Sequence, residues 1–289
     1  MSANQQKWMT VINSDKEVGK INLKEVVKYK DLVWLFVRRT FVANYKQTIL
    51  GPAWAIIQPF LTTVVYTLFF GSVAGLGPDG VPNFIFYLSG TIVWSYFSHS
   101  LTQCSGTFTT NANIFGKVYF PRIIMPISTI MSQLIAFGIQ FVFMILFWCY
   151  FLITKQLEPN IYILMTPVIL LQLGLLGLSI GVIIASVTTK YRDLVMLVGF
   201  GTQLWSYASG VAYDMFKYTD GILSPDGWFY KLFMLNPVTP AINLFRYGYL
   251  GCGSVDWMYY GISWITTALV LVLAFVLFGR IERTFMDTV

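Results

Sequence analysis

This sequence predicts an all-α integral membrane protein with six transmembrane helices, an N-terminal amphipathic interface helix and a re-entrant periplasmic gate-helix pair between spans five and six. Three observations carry that expectation. Of 289 residues, 56% are hydrophobic and only 11% are charged, whereas a soluble domain carries about 25% charged residues. The charges are clustered, leaving six long stretches without Asp, Glu, Lys or Arg. A helix needs about 20 apolar residues to cross a hydrocarbon core of about 30 Å with its backbone polar groups satisfied internally, and each stretch can supply them. Finally, the cations fall mostly on one side of the resulting topology.

The elements follow in chain order as one membrane domain over 24–289, preceded by a cytoplasmic leader, 1–23. That leader is polar and of mixed charge, so the first span itself is expected to direct insertion without a secretory signal peptide. The interface helix is expected over 24–46. At 100° per residue Lys24, Lys28, Asp31, Arg38, Arg39 and Lys46 share one arc, and Leu23, Trp34, Val37, Phe41 and Tyr45 gather opposite. Leu35 and Val42 intrude on the charged face and Lys30 on the apolar one. Gly51-Pro52 then turns the chain into the bilayer, because proline has no amide proton and disfavours a helical residue before it.

Spans are placed at about 54–74, 83–104, 123–153, 161–187, 194–213 and 257–279. Pro59 falls inside the first and is expected to loosen it, with neighbouring groups taking up the freed carbonyl. Between spans five and six, the charge-free run 232–245 is too short to cross and is interrupted by Asn236-Pro237 and Pro240. Such a run suits two short helices dipping into the outer leaflet, with Asn236, Pro237 and Arg246 as candidate gate residues. An amphipathic loop on the outer surface is the alternative.

An even number of spans puts both termini on one side. With the N-terminus cytoplasmic, 15 of the 19 Lys and Arg lie inside, and Lys155, Lys217, Lys231 and Arg246 lie outside. The two inner loops repeat the bias with Lys117 and Arg122, then Lys190 and Arg192.

Ionisable groups inside a membrane are costly and so mark chemistry, yet these spans carry almost none. His99 is the single histidine, with no carboxylate near it in sequence, and reads as a capped or pore-facing polar residue. Cys104, Cys149 and Cys252 lack a CxxC spacing and read as small packing residues, not as a metal site or disulfide. No phosphate-binding Gly-x-x-x-x-Gly-Lys-Ser/Thr loop occurs, so any use of ATP falls to another subunit. The spans do carry aromatics: Tyr66, Phe69 and Phe70 in the first, Trp94, Tyr96 and Phe97 in the second, Trp205, Tyr207 and Tyr213 in the fifth. Sugar rings present apolar faces that stack on such rings, although membrane aromatics also serve as packing or interfacial belts. Tyr66, Phe70, Trp94, Trp205, Tyr207 and Tyr213 are the candidate lining of a passage.

The inner loop after the second span reads Asn111-Ala-Asn-Ile-Phe-Gly-Lys-Val-Tyr-Phe-Pro-Arg122. With Tyr45-Lys-Gln-Thr-Ile-Leu-Gly-Pro-Ala-Trp54, Ile57-Gln-Pro59, Phe86-Tyr-Leu-Ser-Gly90, Tyr191-Arg-Asp193 and Asn236-Pro237, it resembles the type-2 ABC permeases that export O-antigen, capsule or teichoic-acid polymers. Each motif is weak alone, but their order of occurrence, from about Lys28 onward, is specific.

The resemblance implies a permease in the bacterial cytoplasmic membrane, itself not an enzyme, that moves lipid-linked polysaccharide. Its implied partners are a second copy of itself, two ABC nucleotide-binding subunits that hold ATP and Mg, and membrane lipids, with no nucleic acid. Residues 111–121 would be the coupling helix docked on the ATPase. The implied coupling residues are Asn113, Phe115, Gly116, Lys117, Tyr119, Phe120, Pro121 and Arg122, with Arg192 in the second inner loop. Lys28, Arg38, Arg39 and Lys46 would brace the same partner from the interface helix. The fifth span departs from the Pro-containing ending of relatives, reading Ser206-Tyr-Ala-Ser-Gly-Val-Ala-Tyr213. An ABC exporter of a drug or small lipid would share much of this pattern. A membrane glycosyl- or acyl-transferase would call for Asp or His clusters facing the membrane.

Overall fold

A computed structural model describes residues 28–46, 49–115, 120–188, 194–217 and 227–288. The described residues form helices and connections with no strand. In order they are α1 (Lys30–Tyr45), α2 (Trp54–Tyr66), α3 (Asn83–Ser105), α4 (Thr107–Thr110), α5 (Ala112–Phe115), α6 (Ile124–Ile153), α7 (Thr166–Thr188), α8 (Leu194–Tyr207), α9 (Trp228–Leu235), α10 (Thr239–Leu250) and α11 (Trp257–Thr288). A 3₁₀ turn, Gly51–Ala53, leads into α2 with Pro52 in its first positions, where the missing amide proton costs nothing. Past Pro59 the helix continues, and the Thr63 hydroxyl donates to the Pro59 carbonyl at 2.7 Å. The chain then widens into a π-helical stretch, Thr67–Val73.

Among the described residues, four helical segments are long and apolar enough to cross a membrane: Gly51–Val73, Ile124–Ile153, Ile161–Thr188 and Trp257–Phe278. The other two expected spans differ for physical reasons that bear on the site. Helix α3 is long enough, at 23 residues, but is diluted by hydroxyl and other polar side chains. Helix α8 has 14 residues and stops at Tyr207, because a turn through Gly210, with φ +68°, redirects the chain before the expected end at Tyr213.

Helix α3 sits at the centre, packed by α7 and α6, with α2, α8 and α10 completing its surroundings, while α11 lies against α7 and α1 against the start of α6. The α3–α7 contact is close because glycines on α7 recur at helical spacing. A Cβ added at Gly181 would lie 2.5 Å from the Cys104 Cβ and 2.8 Å from the Leu101 carbonyl oxygen. At the far end of the pair the Thr188 hydroxyl donates to the Ser105 carbonyl at 3.0 Å.

Helix α10 is buried along nearly its whole length. Its last turn is pinned by Trp148 of α6, whose indole N–H donates to the Tyr249 carbonyl at 2.7 Å, and by the Asn160 amide, which donates to the Tyr247 carbonyl at 2.8 Å. Helix α10 is thus anchored in the bundle core, while α9 buries only Tyr230 and Met234.

Candidate functional site

Between α2, α3 and α8 lies a groove of about 260 Å³. Helix α2 contributes Gln58, Thr62 and Tyr66, spaced four apart and so on one face. Helix α3 contributes Thr91, Trp94, Ser95, Ser98, His99 and Thr102, again one face at steps of three and four. From α8 come Thr202, Gln203 and Ser206. The lining is therefore hydroxyl, amide, imidazole and ring, and none of the described lining residues is Asp, Glu, Lys or Arg.

Its hydroxyls are oriented. Thr62 donates to the Gln58 carbonyl at 3.1 Å, Ser98 to Ser95 at 3.3 Å and Thr102 to Ser98 at 2.8 Å. On α8, Thr202 donates to the Gly199 carbonyl at 2.8 Å and Ser206 to Gln203 at 2.6 Å. Each proton returns to its own helix, leaving oxygen lone pairs as the free function. The Thr91 hydroxyl is buried without a hydrogen-bond partner.

Of the aromatic residues expected to line a passage, Tyr66 and Trp94 are on the groove wall. The Tyr66 hydroxyl lies beside the Ser206 and Tyr207 side chains, joining α2 to α8. Phe70 packs edge-on against Tyr66 at 5.3 Å between ring centroids. Trp205 backs Trp94 and Phe97 at 6.3 and 5.2 Å. Tyr207 is exposed, and Tyr213 packs under α9 against Phe233. The hydroxyl stripe on α3 was not among the expected site residues. Its signal was present as the three-four spacing of Thr91, Ser95, Ser98, His99 and Thr102.

At one end of the groove the turn after α8 is tied to the α9–α10 pair. The Asn236 amide donates to the Ala208 carbonyl and the Ser209 hydroxyl, both at 2.9 Å, while its oxygen accepts from the Val238 N–H. Pro237 offers its carbonyl to the Ser263 hydroxyl of α11, which also takes the Gln172 amide of α7. Arg246 is 3% exposed, with its two terminal nitrogens donating to the Gly210 and Val211 carbonyls at 2.7 and 2.8 Å. Counted by sequence as an outer cation, this residue is in fact sealed inside, and Asn236, Pro237 and Arg246 form one connected fastening.

At the opposite end of α3, α4 and α5 lead into the expected coupling segment. Asn113 is exposed on α5, and Phe115 ends that helix. Gly116, Lys117, Tyr119 and Arg192 lie outside the described residues. Phe120 is buried against Phe36 of α1, with ring centroids 5.5 Å apart, and Pro121 and Arg122 are half-buried beside it. Helix α1 thus turns Phe36 and Val37 toward the bundle, while Trp34, at 62% exposed, points away from it. The expected apolar face of Trp34 with Val37 is split between two surroundings. Lys28, Arg38, Arg39 and Lys46 are all exposed.

Among the described residues no three His, Cys, Asp or Glu side chains group as metal ligands, and the three cysteines are free thiols.

The sequence has counterparts among known proteins. Residues 31–250 match the ABC-2 type transporter family. Over 259 residues, covering 89% of this chain and 94% of the relative, the sequence is 24% identical to the O-antigen export system permease protein RfbA of Klebsiella pneumoniae. Over 194 residues, covering 67% of this chain and 72% of the relative, it is 26% identical to the protein of the same name from Myxococcus xanthus.

Proposed function

Because this chain belongs to the ABC-2 type transporter family, we propose that it is the permease subunit of an ATP-driven exporter that moves lipid-linked surface polysaccharide of the O-antigen kind across the cytoplasmic membrane. In this reading α3 and α8 complete six crossings with the four apolar spans. Helix α1 lies at the inner surface, the α9–α10 pair forms a gate on the outer side, and both termini are cytoplasmic. Two copies enclose the path, and two separate nucleotide-binding subunits hold ATP and Mg. This chain supplies path and gating, not bond chemistry.

The observation that carries the reading is the groove. Tyr66 and Trp94 add largely buried rings to the wall, and hydroxyls and amides at helical spacing exchange hydrogen bonds with sugar hydroxyls at each step. Relatives named as O-antigen export permeases support the same substrate class. On the inner side, the Phe36–Phe120 contact joins the coupling segment to α1, so a push on one is felt by the other and by the start of α6. ATP-driven closure of the partner subunits then rocks the helices that wall the groove.

The test is reconstitution with the ATPase partner in vesicles. Lipid-linked glycan is expected to stimulate ATP hydrolysis and to cross. Phe115→Ala and Arg122→Ala are expected to insert normally and hydrolyse ATP without export. Stimulation by small amphiphiles alone would replace the proposal with a drug or small-lipid exporter.

A further inference from the structure

Resting on the polysaccharide reading and deepening it, the geometry points to an uncharged glycan as the cargo: we infer that the groove passes neutral chains and rejects those bearing an acid in every repeat.

The first observation is the direction of the hydroxyl protons. Thr62, Ser98, Thr102, Thr202 and Ser206 each donate to a carbonyl of their own helix, so their oxygens meet the groove as acceptors. The buried Thr91 hydroxyl has no partner in the fold, so it offers a proton as well as lone pairs. Sugar hydroxyls are donors as well as acceptors and can satisfy such a wall. A carboxylate or phosphate is an acceptor only, so it meets those five oxygens lone pair to lone pair and is left with the uncharged donors of Gln58, Thr91, Trp94, His99 and Gln203.

The second observation is the absence of a compensating charge. Passages for anions and phosphates are built with rings of Arg or Lys. The described parts of the spans hold none, and Arg246 gives its terminal nitrogens to the Gly210 and Val211 carbonyls with its guanidinium over the Phe86 ring. A second copy across the path brings the same neutral wall, because it is the same sequence. An anion in the groove would lose water and gain only uncharged donors and no cation, a penalty repeated at every acidic residue of the polymer.

The test uses cells lacking their own exporter, supplied with this permease and its ATPase subunits. They make one of two lipid-linked glycans of equal length: a neutral hexose homopolymer, or the same backbone with a hexuronate in each repeat. Surface glycan is measured at matched permease abundance. The acidic chain is expected at least about tenfold below the neutral one, and Ser98→Lys is expected to bring the two within about threefold. Thr62→Lys serves as the second variant should Ser98→Lys insert poorly. Equal export of both glycans by the unaltered permease overturns the inference. So does a lysine variant that inserts normally yet still rejects the acidic chain, since selection would then lie outside the groove. Export of neither glycan by a complex that hydrolyses ATP rejects the polysaccharide reading itself.

Discussion

The guanidinium carbon of Arg246 lies 3.7 Å from the centroid of the Phe86 ring, so a charge on α10 rests on an aromatic face of α3. Its terminal nitrogens meanwhile hold the turn that ends α8. Three helices that border or cap the groove are therefore joined through one side chain. A planar, forked cation suits this place, since it can lie flat on a ring and reach two carbonyls at once. Gly90 of α3 leaves the space for it.

Replacing Arg246 by alanine leaves the Gly210 and Val211 carbonyls without their donors, at a cost of about 2–4 kcal/mol. Arg246→Lys should recover part of this, because an ammonium can meet one carbonyl without covering the ring. Thermal unfolding in detergent checks the order wild type, Lys, Ala. An alanine variant that melts with the wild type would contradict the clamp.

Overpacking should discriminate between glycines. Gly181 faces the α3 backbone, whereas nothing lies within 4 Å of a Cβ built at Gly199. Gly181→Leu is expected to lose at least about 1–3 kcal/mol, with reduced yield of folded protein, and Gly199→Leu to be tolerated. Comparable thermal midpoints for the two variants would mean that α3 and α7 are not in close contact.

The Phe36–Phe120 pair should matter to coupling more than to insertion. Phe36→Ala and Phe120→Ala each remove one ring of a small cluster, a loss of about 3–5 kcal/mol locally. Both are expected to keep ATP hydrolysis while export falls. The double variant should be scarcely worse than either single one, because both delete the same contact. Additive losses in export would argue that the rings act separately.

Two tryptophans that touch each other should behave differently toward substrate. Trp94 lines the groove and Trp205 stands behind it. Trp94→Ala opens the groove wall and removes a contact of about 1 kcal/mol, so half-maximal glycan stimulation of the ATPase should need about fivefold more glycan. Trp205→Ala should lower thermal stability, with a smaller effect on that concentration. The reverse pattern would move the path to the other face of Trp94.

Lys217 bridges Asp79, in the loop after the π-helical stretch, at 3.0 Å, and the Asp79 side chain is 86% exposed. An ion pair so open to solvent contributes at most about 1 kcal/mol. Asp79→Asn should leave both the melting temperature and export near wild type, measurable in the same assays. The Lys217 bond to the Gly77 carbonyl remains in that variant to hold the loop.

Much of the architecture was legible along the chain because membrane insertion answers to local composition. Long charge-free runs, the Gly51-Pro52 entry and the Asn236-Pro237 break each sit where a helix starts or stops. The polar stripe of α3 was equally local, yet aromatic residues drew attention from it. What the chain did not disclose was the rotation of each helix about its axis. Between lipid and protein there is little difference in polarity to mark a buried face, so the sequence did not tell that Tyr66 and Trp94 share a groove wall from which Trp205 and Tyr207 are absent.

The sequence by itself determined which segments are apolar and helical, and that no ionised side chain falls within the described spans. Only the tertiary structure decided that Arg246 is buried and holds the turn after α8, that α8 ends at that turn, and that three polar stripes meet in one groove. The physical reason is that composition is a property of each segment alone. Burial, a shared cavity and the direction of a hydroxyl proton depend on which neighbours packing brings alongside.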